Sequence, residues 1–72
     1  MESETVLARD LVVGDVVQVD GELGWWTVSA VFVEAQHVID IDLVRTGDLS
    51  QYEAPFQYEW FVALDHPVER MP

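Results

Sequence analysis

Cysteine is absent from this chain of 72 residues, and so are lysine and asparagine. The lack of cysteine excludes disulfide bonds, zinc sites built from thiolates and cysteine nucleophiles. Because lysine and asparagine codons are rich in A and T, their absence indicates a GC-rich genome, such as that of an actinobacterium or one of its phages. Stability has to come from packing of the hydrophobic residues, which make up 50% of the composition.

Positive charge is scarce. Three arginines, Arg9, Arg45 and Arg70, accompany 14 acidic residues, and the formal net charge is -11. Proteins bind nucleic-acid phosphates and anionic lipids mainly through cationic contacts. We therefore expect no direct binding to nucleic acid or to a membrane, whereas a basic protein partner would be attracted. The same charge can also serve solubility alone.

Long apolar runs are missing as well. None approaches the roughly 18 residues of a membrane-spanning helix, and the N-terminal stretch MESETVLARD is acidic where a signal peptide is basic. We therefore expect a cytoplasmic protein. No catalytic or cofactor-binding motif is recognisable, so the sequence predicts a non-enzymatic protein without a cofactor.

The length predicts one domain, residues 1–72, of which residues 1–4 are expected to be flexible. Short alternating segments rich in β-branched and aromatic residues predict five strands, at residues 15–20, 25–35, 37–45, 56–64 and 68–71. Residues 5–11 support at most one further short strand or an extended arm. Five strands and no helix longer than about one turn predict an all-β fold, most economically a small closed barrel without exposed edges.

The adjacent tryptophans, Trp25 and Trp26, have to lie on opposite faces of their strand, because successive side chains alternate. The face that carries Trp25 begins polar and becomes apolar along the strand, which predicts a β-bulge near Ser29 and Ala30. Trp25 is then predicted to lie outside the core. One face is uniformly apolar and is predicted to point inward: Trp26, Val28, Ala30 and Phe32.

The segment VVGDVVQVDGELGWWTVSA, residues 12–30, resembles the middle of an SH3 domain, in which a glycine–acidic turn opens one strand and a tryptophan pair opens the next. The resemblance covers about a quarter of the chain and implies a small SH3-like barrel. It also implies that Trp25, as the first tryptophan of the pair, lines a peptide-binding groove. Similarity of fold does not by itself transfer function.

Three aromatic residues are candidate protein-binding residues. An exposed Trp25 would combine a large apolar area with an N–H donor, which suits a contact residue. Phe61 is the second outward-facing aromatic residue by alternation, and Tyr52 lies in the longest loop. If these residues adjoin, they form a contact patch for a partner or the interface of a homodimer. Alternatively, Trp25 covers one end of the barrel.

Asp40 and Asp42 lie two residues apart on the polar face of the strand 37–45. This spacing can present two oxygens to a metal. Hard cations, however, take six or more oxygens from an ordered cage, and no loop in the sequence resembles one. We therefore predict no metal site and treat Asp40 and Asp42 as candidate partner-binding residues.

Two functions remain open. The first is a small interaction module that presents aromatic residues to a protein partner or to a second copy of the chain. The second is a phage-type inhibitor whose carboxylates imitate DNA phosphates in the basic groove of a host protein. The first predicts affinity that depends little on salt, and the second predicts steep salt dependence and competition by double-stranded DNA. The candidate phosphate mimics are Glu34, Asp40, Asp42, Glu53 and Glu59.

Overall fold

The computed structural model of the protein describes residues 3–72, and within that range the fold is all-β. Six strands are present: β1 (Glu4–Leu7), β2 (Val16–Val17), β3 (Trp26–Ala35), β4 (Val38–Arg45), β5 (Gln57–Ala63) and β6 (Pro67–Arg70). Two single-turn 3₁₀ helices span Ala8–Asp10 and Leu49–Gln51. Across residues 3–72 no helix has both the length and the apolar character needed to cross a membrane.

The all-β prediction is confirmed, and each of the five predicted strands is present. The structure adds β1, which pairs with β6 along its whole length. β2 is shorter than the predicted segment 15–20, because only Val16–Val17 have strand pairing. Of the segment 1–4 that was expected to be flexible, the first two residues lie outside the described range, and Glu4 begins β1.

The strands form one antiparallel sheet in the order β1-β6-β2-β3-β4-β5, and its edges are β1 and β5. Only residues 64–66 connect β5 to β6, although these strands are four positions apart in the sheet. In a flat sheet that separation would be about 19 Å. Three connecting residues span at most about 14 Å. The sheet is therefore strongly curled.

Backbone hydrogen bonds around residues 64–66 hold this curl. Leu64 donates its N–H to the carbonyl oxygen of His37, at 3.2 Å, in the turn between β3 and β4. The carbonyl oxygen of Leu64 accepts a hydrogen bond from the N–H of Arg9, at 2.9 Å. The carbonyl oxygen of His66 accepts one from the N–H of Ala8, also at 2.9 Å. The β5–β6 connection thus links the β3–β4 turn to the 3₁₀ helix that follows β1.

The hydrophobic core lies on the inner side of the curled sheet and is centred on β4. Its residues Ile39, Ile41 and Leu43 are each at most 2% exposed, which confirms the predicted alternation along this strand. β3 and β5 flank β4 on its two sides. Their side chains that pack against or within this core include Trp26, Val28, Val31, Tyr58, Trp60 and Val62.

A β-bulge interrupts the pairing of β3 with β4, as predicted. Val28 pairs with Leu43, but Ala30 pairs with Asp42, so that Ser29 has no partner on β4. The Ser29 hydroxyl donates instead to the carbonyl oxygen of Asp42, at 3.0 Å. A shift of one residue moves every following side chain to the opposite face of a sheet.

The bulge corrects the expectation for the second half of β3. Phe32 was expected in the core together with Ala30, but it pairs with Asp40 on the outer face and is 55% exposed. Val31 takes the inner position, opposite Ile41. The alternation assumed from the sequence is right for Trp26 and Val28 and is reversed from Ala30 to Val33, after which a second register shift follows.

Gly21 and Gly24, which precede β3, provide a matched test of local packing. Both have positive φ, +78° and +77°. A Cβ atom at position 24 would lie 2.6 Å from the Tyr52 hydroxyl oxygen, whereas one at position 21 would have no atom within 4 Å. We expect Gly21→Ala to lower the free energy of unfolding by about 1–2 kcal/mol through backbone strain, and Gly24→Ala by about 1 kcal/mol more. Urea unfolding followed by tryptophan fluorescence measures both losses, and equal losses would contradict the close contact with Tyr52.

Candidate functional site

The predicted contact residues fall into two groups: Asp40, Asp42 and Phe61 near the start of β4, and Trp25 and Tyr52 beyond its end. Trp25 lies beside Thr46, the residue after β4, because its carbonyl oxygen accepts a hydrogen bond from the N–H of Thr46, at 3.0 Å. Six residues of extended chain separate position 46 from Asp40, a distance of about 20 Å. Because Phe61 pairs with Asp40, Trp25 and Phe61 do not form a joint patch.

Trp26 is the first residue of β3, whereas Trp25 lies just before the strand. Trp26 is buried, whereas Trp25 is half-buried and therefore offers less surface to a partner than the sequence suggested. The Arg45 guanidinium lies 4.1 Å from the ring centres of both Trp26 and Tyr52. Such cation–π contacts stabilise a fold. Tyr52 thus has a structural role, since it anchors the loop between β4 and β5.

On the outer face of the sheet, strand pairing brings together three side chains that are distant in sequence. Phe32 of β3 and Phe61 of β5 both lie directly opposite Asp40 of β4, one on each side. Opposite residues of antiparallel strands have Cβ atoms about 5 Å apart on the same face. The two rings therefore flank Asp40, which is only 5% exposed although it points away from the core. The rings themselves remain 55% and 54% exposed.

The neighbouring row adds two carboxylates. Asp42 lies directly opposite Glu59 of β5, on the same face as Asp40. One carboxylate oxygen from each of Asp40, Asp42 and Glu59 lies within 4.8 Å of the others. We refer to these three residues as the carboxylate cluster. Together with Phe32 and Phe61 they form what we call the acidic aromatic patch.

Within residues 3–72 no ion pair neutralises the carboxylate cluster. The cations that form ion pairs there are Arg70 and His66, and their partners lie outside the cluster. The Oδ1 atoms of Asp40 and Asp42 are buried and accept no hydrogen bond. A buried polar atom without a partner costs about 1–3 kcal/mol. The cluster therefore holds unfavourable negative charge that a bound positive group would stabilise.

The environment of Asp40 changes its acidity. Its surroundings together raise the pKa of Asp40 from its usual 3.8 to about 6, and burial is the largest cause. The neighbouring Asp42 carboxylate contributes as well, because a protonated Asp40 could donate a hydrogen bond to it. The negative charges of Asp42, Glu59 and Glu34 raise the pKa of Asp40 further. Repulsion among these carboxylates thus disfavours the ionised form of Asp40.

Sequence reasoning missed Phe32 as a surface residue. The predicted bulge near Ser29, combined with the rule that a one-residue shift exchanges the faces, would have placed Phe32 outside. Among the five carboxylates considered as phosphate mimics, Glu53 lies apart, in a depression that it lines with Tyr52 and Leu23. Asp40, Asp42 and Glu59 converge on the outer face, and Glu34 lies near enough for its charge to act on Asp40.

No match to this chain was found among protein-family models, curated proteins or solved structures. The resemblance of residues 12–30 to an SH3 domain therefore stays a prediction from the sequence pattern. The function has to be argued from the chemistry of the acidic aromatic patch.

The raised pKa of Asp40 predicts how stability depends on pH. The folded state binds this proton more tightly than the unfolded chain, so the contribution of Asp40 to stability is fully present below about pH 4 and is lost as the pH rises through about 6. We expect Asp40→Asn to remove this dependence and to raise the free energy of unfolding at pH 8 by on the order of 1 kcal/mol.

Urea unfolding of the two proteins at pH 4, 6 and 8 measures the effect. Glu53→Gln, which removes one exposed charge elsewhere, is the matched control and should keep the pH dependence of the wild type. The prediction would be contradicted if the free energy of unfolding of the wild type, relative to that of Asp40→Asn, increased between pH 6 and pH 8.

Proposed function

We propose that this protein is a small, non-enzymatic interaction module that binds a basic protein partner through the acidic aromatic patch. The observation that carries the proposal is the arrangement around Asp40, where two half-exposed phenylalanine rings flank carboxylates without a cation. Val38, which is 38% exposed and alternates onto the same face as Asp40, extends the apolar surface at this end of the β3–β4 hairpin. Exposed apolar area of this kind marks interaction sites.

The chemistry of the patch favours an arginine of the partner as the central contact. A guanidinium can donate paired hydrogen bonds to carboxylates and can also lie against aromatic rings. Asp40 and Asp42 offer unpartnered acceptor oxygens, and Phe32 and Phe61 offer the rings. Because the Oδ1 atoms of the two aspartates are already shielded from water, binding a cation there requires little further desolvation of these two oxygens.

We also propose that the curled sheet has the SH3-like barrel form predicted from residues 12–30. The support for this proposal is the three-residue connection between β5 and β6, two strands that lie four positions apart in the open sheet. The proposed binding surface, however, lies about 20 Å from Trp25, where the SH3 resemblance would place a peptide groove. A cytoplasmic location stays part of the proposal, as predicted from the sequence.

Imitation of DNA phosphates is the second candidate function. The convergence of Glu34, Asp42 and Glu59 around Asp40 favours it. Two features weigh against it. Asp40 is almost fully buried, and two phenylalanine rings interrupt the acidic surface, whereas a nucleic-acid backbone presents closely and regularly spaced phosphate charges. A protein partner with both apolar and basic residues matches the patch better.

Site-specific photo-crosslinking in cells of the native host tests the proposed surface. We expect p-benzoylphenylalanine at position 32 or 61 to give the same discrete adduct with a basic protein, because both rings lie in the proposed contact. Position 23 is the matched control, since Leu23 is apolar and 79% exposed but lies beside Arg45 at the other end of β4. Mass spectrometry identifies the adducts. An adduct formed from position 23, but not from 32 or 61, would contradict the assignment.

Surface plasmon resonance with the captured partner separates the two functions. Phe61→Ala is expected to weaken affinity about tenfold or more, because it removes a central apolar contact. The double substitution Asp42→Asn/Glu59→Gln is expected to slow association and to reduce its salt dependence. An excess of double-stranded DNA should not compete. Competition by DNA, together with unchanged affinity of Phe61→Ala, would favour the phosphate mimic instead.

A further inference from the structure

We propose that the carboxylate cluster, Asp40, Asp42 and Glu59, is a binding site for a hard divalent cation, with the geometry of a calcium site. The site lies on the outer face of the sheet, beside the phenylalanine rings of the acidic aromatic patch. Oxygen ligands alone suit hard cations such as Ca²⁺ and Mg²⁺ rather than the softer transition metals. All three ligands project from paired strands, β4 and β5, which fixes their relative positions.

The spacing of the oxygens fits calcium. Ca²⁺ binds oxygen at 2.3–2.6 Å, so two ligands of one calcium ion are at most about 5 Å apart. The three carboxylate oxygens lie within 4.8 Å of one another, so that each pair is within this limit. Mg²⁺ binds at 2.0–2.1 Å and requires ligands within about 4.2 Å in near-ideal octahedral geometry. We therefore expect calcium to bind more tightly than magnesium.

A second observation points to a ligand independently of the clustering. Asp40 is more than nine-tenths buried, yet its Oδ1 atom has no hydrogen-bond partner, and the same holds for the buried Oδ1 atom of Asp42. Buried polar atoms are normally hydrogen-bonded, and a buried charge is normally paired or bound to a metal. A cation between the carboxylates would supply the missing partner to both atoms at once.

The surroundings can complete the coordination shell. Three carboxylates supply three to six oxygens, depending on how many bind through both atoms, and calcium takes six to eight. A groove of about 370 Å³ adjoins the cluster and is lined in part by Ser29, Asp42, Gln57 and Glu59. It has room for the water molecules that would occupy the remaining positions. On the opposite side, Phe32 and Phe61 shield Asp40 from solvent.

This inference revises the expectation of no metal site, which considered only the two aspartates of one strand. Glu59 is seventeen residues further along the chain than Asp42 and joins them through the pairing of β5 with β4. The inference does not rest on the proposed function. A cation titration needs no protein partner, so the two proposals can fail separately.

Isothermal titration calorimetry of the full chain with calcium chloride, at constant ionic strength set with sodium chloride, tests the site. We expect one saturable site per chain, with magnesium chloride binding more weakly. Asp42→Asn and Glu59→Gln are each expected to weaken calcium binding about tenfold or more, since even outer-shell partners of a metal are worth that much. Glu53→Gln, with the same loss of charge in the loop between β4 and β5, should bind as the wild type does.

Thermal unfolding provides a second measurement. Saturating calcium should raise the midpoint of the wild type and of Glu53→Gln above the value in sodium chloride of equal ionic strength. The rise should be absent from Glu59→Gln, whose fold is checked by far-ultraviolet circular dichroism. No saturable binding to the wild type, or an equal loss in Glu53→Gln and Glu59→Gln, would show only diffuse attraction of counterions and would overturn the proposal.

Discussion

The arrangement of this protein depends on the first of two register shifts in β3, the one at Ser29. Ser29 has no partner on β4, so the two halves of β3 present opposite sets of side chains to the core. Before the bulge, Trp26 and Val28 point inward, and beyond it Val31 does so in place of Phe32. Without the shift, Phe32 would lie on the inner face and Asp40 would lack one of its flanking rings. The bulge thus fixes both the core and the composition of the outer face.

Asp40 shows that the outer face is not simply a solvated surface. Its burial between two rings, beside Asp42 and Glu59, leaves a carboxylate that is unfavourable in its ionised form. A domain of this size has a small margin of stability, and a hydrophobic or amide side chain would avoid the cost. Groups with strongly shifted pKa values cluster at functional sites. The energetic cost of Asp40 is therefore an argument that the patch binds something positive.

The distribution of the arginines reinforces this asymmetry. Arg70 is paired with Glu4 and Asp15 near β1, and Arg45 stacks on Trp26 and Tyr52 at the far end of β4. Both cations serve the fold, and neither pairs with the carboxylate cluster in the described chain. The net charge of -11 is therefore unevenly distributed. Arg70 neutralises acidic residues near β1, whereas no arginine forms an ion pair with the carboxylate cluster on the described outer face. A basic protein and a divalent cation would be attracted to the same face for the same electrostatic reason.

The sequence alone determined the all-β class, the positions of five strands, the inward row of β4, the burial of Trp26 and the location of the bulge. These features follow from alternation and turn propensity, which act over a few residues. The tertiary structure decided the pairing of β1 with β6, the exposure of Phe32, the meeting of Glu59 with Asp42 and the separation of Trp25 from Phe61. Each of these depends on which residues face each other across strands that are distant in the chain, and local patterning does not specify that register.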